Sequence, residues 1–323
     1  MRTLRAIRSR ILTPNMSETS LDVRGFHKKS PEAQELLETV GKSFLTGYAY
    51  ATAAKNVAEA EEQLERIDRP FRGFAYEGAG MGFAVLDGLP IGGSNHVQQF
   101  LASRGKDHSY MIWIGVGWAM ARLPRFRWGR VKVADPLMRW LVLDGYGFHQ
   151  AYFRTEEYVT RQYQEPNFPW PTEGQRWYSN HAIDQGLGRA MWFVGGTNGQ
   201  LVADMLDKFP ASRQPDLWSG AGLAATYAGG VSEQELRAFR DRAGKYRPQV
   251  AQGSAFAATA RIDAGLLTEH TGVATGVFCG MTPQEADAVS MRNRPTGEPE
   301  TDLPGYEVWR RRIAETFAAV ERI

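Results

Sequence analysis

Cysteine is nearly missing from this sequence. Cys279 is the only one in 323 residues, which excludes an internal disulfide and leaves no thiolate cluster for zinc. It lies in the apolar string Val277-Phe278-Cys279-Gly280, where a buried, inert thiol is more frequent than a reactive one. One thiol of this kind fits a reducing compartment, so we expect a cytoplasmic protein.

Long hydrophobic runs are also lacking. The longest one, residues 110–121, has 12 residues, whereas a membrane-spanning helix needs about 20. Residues 1–12 place four arginines among apolar residues, so they lack the uninterrupted apolar stretch of a secretory signal. Two interpretations of residues 1–12 stay open: peripheral contact with an anionic membrane surface, or a solvated leader that docks on its own domain.

An excess of one charge and the common catalytic motifs are absent too. The 38 basic and 36 acidic residues leave a formal charge of +2, so no nucleic-acid partner is expected. The chain has no HExxH, DDxxD, CxxC, GxSxG or P-loop motif, and therefore lacks the usual signals of metalloproteases, terpene synthases, redox thiols, serine hydrolases and nucleotide triphosphatases. We predict no metal site, and the sequence leaves the cofactor unknown.

One pattern is abundant: a glycine, any residue, a small residue, then more small residues within a helical run. It occurs seven times, with the first glycine at positions 47, 78, 115, 145, 186, 220 and 253, so the spacings are 31, 37, 30, 41, 34 and 33 residues. These are lengths of a helical hairpin. Ser232 with Glu235 and Thr282 with Glu285 form capping boxes, which start helices. Strand-like alternation is scarce, and residues 131–133 are its best example, so the sequence predicts an all-α fold: tandem helical hairpins forming an α/α toroid or a compact superhelix.

The regularity of the pattern also indicates boundaries. We assign residues 1–29 to a basic N-terminal arm, 30–292 to the helical-hairpin repeat domain, and 293–323 to a linker and a C-terminal helix that docks on it. Residues 124–135 and 164–174 interrupt the repeat as loops. A glycine within a helix costs up to about 1 kcal/mol relative to alanine, so the repeated glycines indicate close approach of backbones or of a ligand. No strand precedes them, which argues against a dinucleotide-binding loop.

The residue before the first glycine is polar in six of the seven copies, and the residues three and seven positions after it are mostly small. In the second copy this stripe is Glu77, Gly80 and Ala84, a smooth wall below a polar group. One interpretation is that these polar groups surround a cavity and contact a ligand; the other is that they hydrogen-bond to adjacent hairpins. The leading residues are Thr46, Glu77, Ile114, Asp144, Gln185, Ser219 and Gln252.

In the first interpretation, Glu77, Asp144 and the neighbouring Asp184 are candidate acids or bases, and His149 is a candidate proton shuttle. Packing or salt bridges are the alternative for each of them. The ligand-binding candidates are the leading residues Gln185, Ser219 and Gln252, the aromatic Tyr152, and Arg122 and Arg189, which suit a carboxylate, a phosphate or a thioester carbonyl.

Several strings of the sequence carry a family resemblance. They are residues 24–27, 71–78, 115–119, 143–149 and 252–256, which read RGFH, FRGFAYEG, GVGWA, LDGYGFH and QGSAF. With them the chain resembles the UnbL-type enediyne biosynthesis proteins, a bacterial family of uncharacterised domain, from about residue 4 to 318. The resemblance implies an accessory role in antibiotic biosynthesis: maturing the polyene of an iterative enediyne polyketide synthase, alongside UnbV-type and membrane-embedded UnbU-type proteins. It implies no particular catalytic residues.

Two functions are therefore expected as alternatives. The first is an enzyme that binds a polyene or polyyne in an apolar helical channel and transfers protons. The second is a non-catalytic helical-repeat scaffold that docks the polyketide synthase, another enediyne accessory protein or a membrane partner. An enclosed pocket that contains the predicted acids favours the first, and an axis filled by salt bridges favours the second.

Overall fold

The computed structural model describes residues 10, 12–89, 95–131, 133, 135–296 and 302–320. Over these residues the chain is helical and contains no β-strand, which confirms the predicted all-α class. Residues 1–9 and 11 lie outside the described residues. They are most of the segment 1–12, for which membrane contact and docking on the domain were the two open interpretations. No described helix is both long and apolar enough to cross a membrane. Cys279 is buried, as predicted, and burial raises the pKa of its thiol to about 12.

Fifteen α-helices are present in the described residues. They are α1 Leu21–Arg24, α2 Pro31–Ala53, α3 Val57–Leu64, α4 Arg69–Gly88, α5 His96–Leu101, α6 Ser109–Arg122, α7 Arg139–Phe153, α8 Ser179–Val194, α9 Gly199–Asp207, α10 Gln214–Tyr227, α11 Glu233–Ala243, α12 Arg247–Asp263, α13 Glu269–Cys279, α14 Pro283–Arg292 and α15 Gly305–Val320. Both predicted capping boxes are formed, at the starts of α11 and α14.

Seven of these helices carry the glycine pattern, and we call α2, α4, α6, α7, α8, α10 and α12 the glycine helices. Each packs on the next, so that they form one row. A Cβ built on Gly186 in α8 would lie 1.9 Å from the Asp144 carbonyl oxygen in α7, and one on Gly188 would lie 2.0 Å from the Leu217 carbonyl oxygen in α10. Two residues along a helix are about 200° apart around its axis. The two glycines therefore let one helix approach both of its neighbours.

The first glycine has the same contact in five successive copies: its α-carbon meets the carbonyl oxygen of the leading residue in the preceding helix. The built Cβ would lie 1.9 to 2.0 Å from that oxygen in the pairs Gly115 and Glu77, Gly145 and Ile114, Gly186 and Asp144, Gly220 and Gln185, and Gly253 and Ser219. No side chain is compatible with such distances. The backbones alone therefore set the spacing of the row, with contacts of the Cα–H···O type.

The first copy has a different register from the one predicted. Gly78 meets the carbonyl oxygen of Phe44, and Gly47 meets that of Ala75 in the following helix, so Gly47 is the equivalent of a second glycine. Phe44 is consequently the leading residue of α2. The prediction that Thr46 is the leading residue of this copy was wrong, because Gly78 meets the carbonyl oxygen of Phe44. The hydroxyl of Thr46 donates to the Lys42 carbonyl oxygen within α2. This copy has a single glycine, which left its register ambiguous.

The glycine helices run in one direction. The C-terminal ends of α8, α10 and α12 lie together, since Trp192 Nε1 donates to the Gly229 carbonyl oxygen at 2.9 Å and Arg261 Nη2 donates to the Tyr227 carbonyl oxygen at 2.7 Å. Leu123, just after α6, contacts Gly88 at the end of α4. Shorter helices such as α3, α9 and α11 return the chain to the start of the next glycine helix. In the described residues, the connections on either side of α7 contain loops and short helical turns, namely Arg125–Arg130, Glu156–Thr160 and Arg176–Tyr178.

The row curls until its late helices meet an early one. The ring of Tyr227, at the end of α10, packs edge-on against Phe74 of α4 with centroids 5.1 Å apart. Arg261 of α12 donates to the Pro70 carbonyl oxygen of α4 at 3.0 Å. Helix α15 lies against α12 and α14, where Trp309 Nε1 donates to the Ser290 carbonyl oxygen at 2.7 Å. The architecture is the compact superhelix of the prediction.

We predict opposite effects for two glycine-to-alanine substitutions. Gly186→Ala places a methyl group against a main-chain oxygen and should lower the free energy of unfolding by about 1–3 kcal/mol or more. Gly276→Ala, inside α13 with no neighbouring atom within 4 Å of its built Cβ, should raise it by about 0.5–1 kcal/mol. Urea unfolding of both variants measures this. Equal effects of the two substitutions would show that close backbone contact does not set the glycine pattern.

Candidate functional site

The curled row encloses a pocket. Six glycine helices contribute to its wall, and it contains about 790 Å³ of space not occupied by atoms, counting the solvent at its mouth. Residues 14–19 lie beside it, ahead of the first glycine helix. Most of the wall is apolar, and its aromatic members are Phe44, Phe74, Trp118, Phe148, Tyr152, Phe153, Phe193 and Tyr227.

The inner wall follows a different stripe from the predicted one. Residues three and seven positions after the first glycine line the pocket, because they lie one and two turns beyond the leading residue on the same side of the helix. The predicted stripe, with Gly80 in α4 and Gly147 in α7, instead faces the following helix, so the smooth wall lies between helices and not along the pocket. The pocket-lining residues are Met81, Trp118, Phe148, Arg189 and Leu223 at the first of these positions, and Arg122, Tyr152, Phe193 and Tyr227 at the second.

Glu77 is a buried acidic residue of the pocket wall. Its side chain is 3% exposed, and Trp118 Nε1 donates to Oε1 at 3.0 Å. Within the described residues Oε2 has no hydrogen-bond partner. Burial raises the pKa of Glu77 to about 7; Arg189, whose Nη2 lies 4.0 Å from Oε1, opposes this shift, and Asp144 adds to it. Glu77 therefore combines access to an apolar space with a titration near neutral pH.

Asp144 and Arg189 form a buried ion pair directly behind Glu77. Gln185 Nε2 donates to Asp144 Oδ2 at 2.8 Å, and the hydroxyl of Tyr306 in α15 donates to Gln185 Oε1 at 3.2 Å. Burial acts to lower the pKa of Arg189, but Asp144 and Glu77 hold it above its usual value. We call Glu77, Asp144, Gln185 and Arg189 the charged layer. Since Asp144 compensates the charge of Arg189, Glu77 is the additional acid of this layer.

Two other predicted acid–base residues lie outside the pocket. Arg213 donates to both oxygens of Asp184 at 2.6 and 2.9 Å, and burial raises the pKa of Asp184 to about 6. His149 packs behind Trp118, with ring centroids 5.6 Å apart, and its Nδ1 lies 3.2 Å from Gln150 Oε1. Burial lowers the pKa of His149 to about 4. The structure thus brings together Glu77 and Asp144 and separates them from Asp184 and His149.

Some of the predicted ligand-binding residues line the pocket, and the others lie outside it. Ser219 Oγ donates to Gln252 Oε1 at 2.6 Å, so these two leading residues contact each other, as Asp144 and Gln185 do. Tyr152 and Arg122 line the pocket. The side chain of Arg122 is exposed, and it forms no ion pair within the part of the chain that the structure describes.

Sequence reasoning missed several residues of this site. The hydrogen bond from Trp118 to Glu77 was not anticipated. Phe148, Phe193 and Tyr306 were not singled out. One signal could have found most of them, namely bulky residues at a constant distance after each first glycine.

The comparisons with known proteins show the family. The sequence model of the family described as "Protein of unknown function (DUF1702)" matches residues 3–317, so the chain belongs to this family. No curated protein and no solved structure matches it. The function is therefore argued from the pocket.

We expect Glu77 to give the fold a specific pH dependence. A carboxyl group whose pKa rises on folding from 4.5 to about 7 keeps its proton longer in the native state. The native state is therefore stabilised below pH 4.5, and this contribution is lost as the pH rises to about 7. Glu77→Gln should remove this loss. Between pH 4.5 and 8 the free energy of unfolding of the variant should therefore rise by on the order of 3 kcal/mol relative to that of the wild type. Urea unfolding at several pH values measures the difference. A constant difference across this range would contradict the assignment.

Proposed function

We propose that this member of the DUF1702 family binds a linear, conjugated polyene or polyyne in the pocket and transfers a proton to or from it through Glu77, as a step in maturing an enediyne core. The pathway is supported by the resemblance of five sequence strings to the UnbL-type proteins. The reaction is supported by one observation above all: a carboxyl group with a pKa of about 7 faces a pocket whose wall is mostly aromatic and aliphatic.

The wall suits a flat, apolar chain. Rings of Phe44, Trp118, Phe148 and Phe193 lie along one continuous space, with Trp118 and Phe148 centroids 5.1 Å apart. Aromatic faces and edges pack favourably on conjugated π systems. A pocket that also excludes water protects a reactive polyene or polyyne from side reactions.

Glu77 suits proton transfer along such a chain. At a pKa of about 7 both its protonated and ionised forms are present near neutral pH, so it can take a proton from one carbon and return it to another. This moves double bonds without an oxidant or other co-reactant. Trp118 holds Oε1, which directs the unpartnered Oε2 to the ligand, and the guanidinium of Arg189 stabilises negative charge that develops beside it.

Arg122 supplies a site for a charged end of the ligand. It lies in the last turn of α6, and its exposed guanidinium is part of the pocket wall. An unpaired arginine beside an apolar pocket matches an amphipathic molecule with a carboxylate or phosphate head. The ligand is then oriented with its head at the solvent and its chain toward Glu77.

The catalytic proposal predicts that Glu77→Gln loses product but keeps the fold. In a producing strain that lacks this gene, complementation with Glu77→Gln should lower product formation at least about 100-fold relative to the wild-type gene. Glu61→Gln is the matched control, since Glu61 is also buried and accepts hydrogen bonds from Ser103 and Gly105 outside the pocket. It should retain product formation. Profiles of accumulated intermediates measure both.

The scaffold alternative makes the opposite prediction for the same strain. A protein that only shields or delivers the polyene would keep its function in Glu77→Gln, as long as the variant is folded and binds the chain. The buried ion pairs of Asp144 and Asp184 are the observations that favour this second candidate, because they are the salt bridges expected of a structural axis. Full product formation by a folded Glu77→Gln protein would exclude the catalytic role.

A second prediction concerns the head group. Arg122→Gln should weaken binding of a conjugated tetraenoic fatty acid about tenfold, since an exposed charge-assisted hydrogen bond contributes roughly 1–2 kcal/mol. The methyl ester of the same acid should bind both proteins equally. Arg66→Gln, an exposed arginine outside the pocket, is the control. Fluorescence titration of the tetraene measures these affinities, and equal losses for acid and ester would show that Arg122 does not recognise charge.

A further inference from the structure

A second cavity lies on the other side of the charged layer. It lies between α6, α7, α10, α12 and α15 and contains about 440 Å³ of space not occupied by atoms, counting any part that is open to solvent. Tyr306, which hydrogen-bonds to Gln185 of the charged layer, belongs to its wall, and Ile114, the leading residue of α6, belongs to it as well. The proposed function does not use this space.

The two cavities are adjacent. Leu223 and Tyr227 of α10 line both of them. Leu223 is partly exposed although it lies in the middle of a buried helix, because it has empty space on both sides. Tyr227 is fixed by its edge-on contact with Phe74 and by Arg261 over its ring at 4.0 Å. Leu223 is therefore the movable part of the partition.

A buried hydroxyl group in the wall of the second cavity lacks a partner. Thr259 Oγ1 has no hydrogen bond within the described residues, and Thr259 is 1% exposed. A buried hydroxyl without a partner destabilises a protein. Because Thr259 belongs to the cavity wall, a polar atom of a bound molecule would compensate this cost.

We infer that the second cavity is a distal subsite for the far end of the same linear ligand, which passes Leu223 and carries a hydroxyl or carbonyl group near that end. This inference rests on the proposed function and makes it more specific. Arg122 binds the head, Glu77 lies beside the middle of the chain, and Thr259 hydrogen-bonds to the far end. The substrate class is accordingly a long, unbranched, conjugated acyl chain with one distal oxygen, and proton transfer occurs away from both ends.

The test compares chain lengths in variants of the second cavity. The probes are an eighteen-carbon conjugated tetraenoic acid, read by its fluorescence, and a ten-carbon dienoic acid, read by displacement of the first. Ala257→Leu, which fills the second cavity, should weaken binding of the long probe about tenfold or more and leave the short probe unchanged. Leu223→Ala, which opens the partition, should strengthen binding of the long probe several-fold.

A third variant tests the distal oxygen without changing the shape of the cavity. Thr259→Val has nearly the same volume and should keep the melting temperature at or above that of the wild type. It should weaken binding of an eighteen-carbon tetraenoic acid with a terminal hydroxyl group, relative to the acid without it, by about tenfold.

The outcomes separate this inference from the proposed function. If both probes bind the wild type and their affinities are unchanged in Ala257→Leu and Leu223→Ala, with thermal unfolding showing folded variants, the distal subsite is wrong and the first pocket stands. If Thr259→Val does not change the ratio of the affinities for the acids with and without the terminal hydroxyl group, the predicted contact with a distal oxygen is wrong. If neither probe binds the wild type, the proposed ligand class is refuted, and the distal subsite with it.

Discussion

The arrangement of this protein depends on one repeated contact, the α-carbon of a glycine against a main-chain carbonyl oxygen of the neighbouring helix. At Gly186 the distance leaves no room for even a methyl group, so the backbones set the spacing of the row and the side chains do not. The oxygen that receives the glycine usually belongs to the leading residue. Each leading residue is therefore held at the same level as its neighbours, which is why Asp144 meets Gln185 and Ser219 meets Gln252.

This placement gives the charged layer its chemistry. Burying a carboxylate is unfavourable unless a partner compensates its charge. Asp144 has such a partner in Arg189, whereas the same guanidinium reaches Glu77 only at 4.0 Å. Ionised Glu77 consequently destabilises the fold, and Trp118 offsets only part of that effect. A group of this kind facing an apolar pocket is more typical of a catalytic site than of a structural axis.

Much of the fold could be predicted from the sequence, because the glycine pattern and the helix caps are local signals. Ser232 with Glu235 starts a helix wherever that helix packs. The site was less predictable. A stripe such as Glu77 and Gly80 identifies one side of a helix. Small residues on that side can face either a cavity or a neighbouring helix. Only the packing of the row determines which of the two they face. The positions of Asp184 and His149 could not be predicted for a related reason, since their partners Arg213 and Trp118 are distant in sequence.

The common direction of the glycine helices has an electrostatic consequence. Each helix carries about half a negative charge at its C-terminal end, and parallel helices add these charges where antiparallel ones would cancel them. The pocket-lining residues of α6, α7, α8 and α10 lie in the C-terminal halves of these helices, so the macrodipoles of the four helices contribute a negative potential there. Arg122, in the last turn of α6, then has a second role. Its positive charge opposes this potential, which favours the approach of a negatively charged ligand.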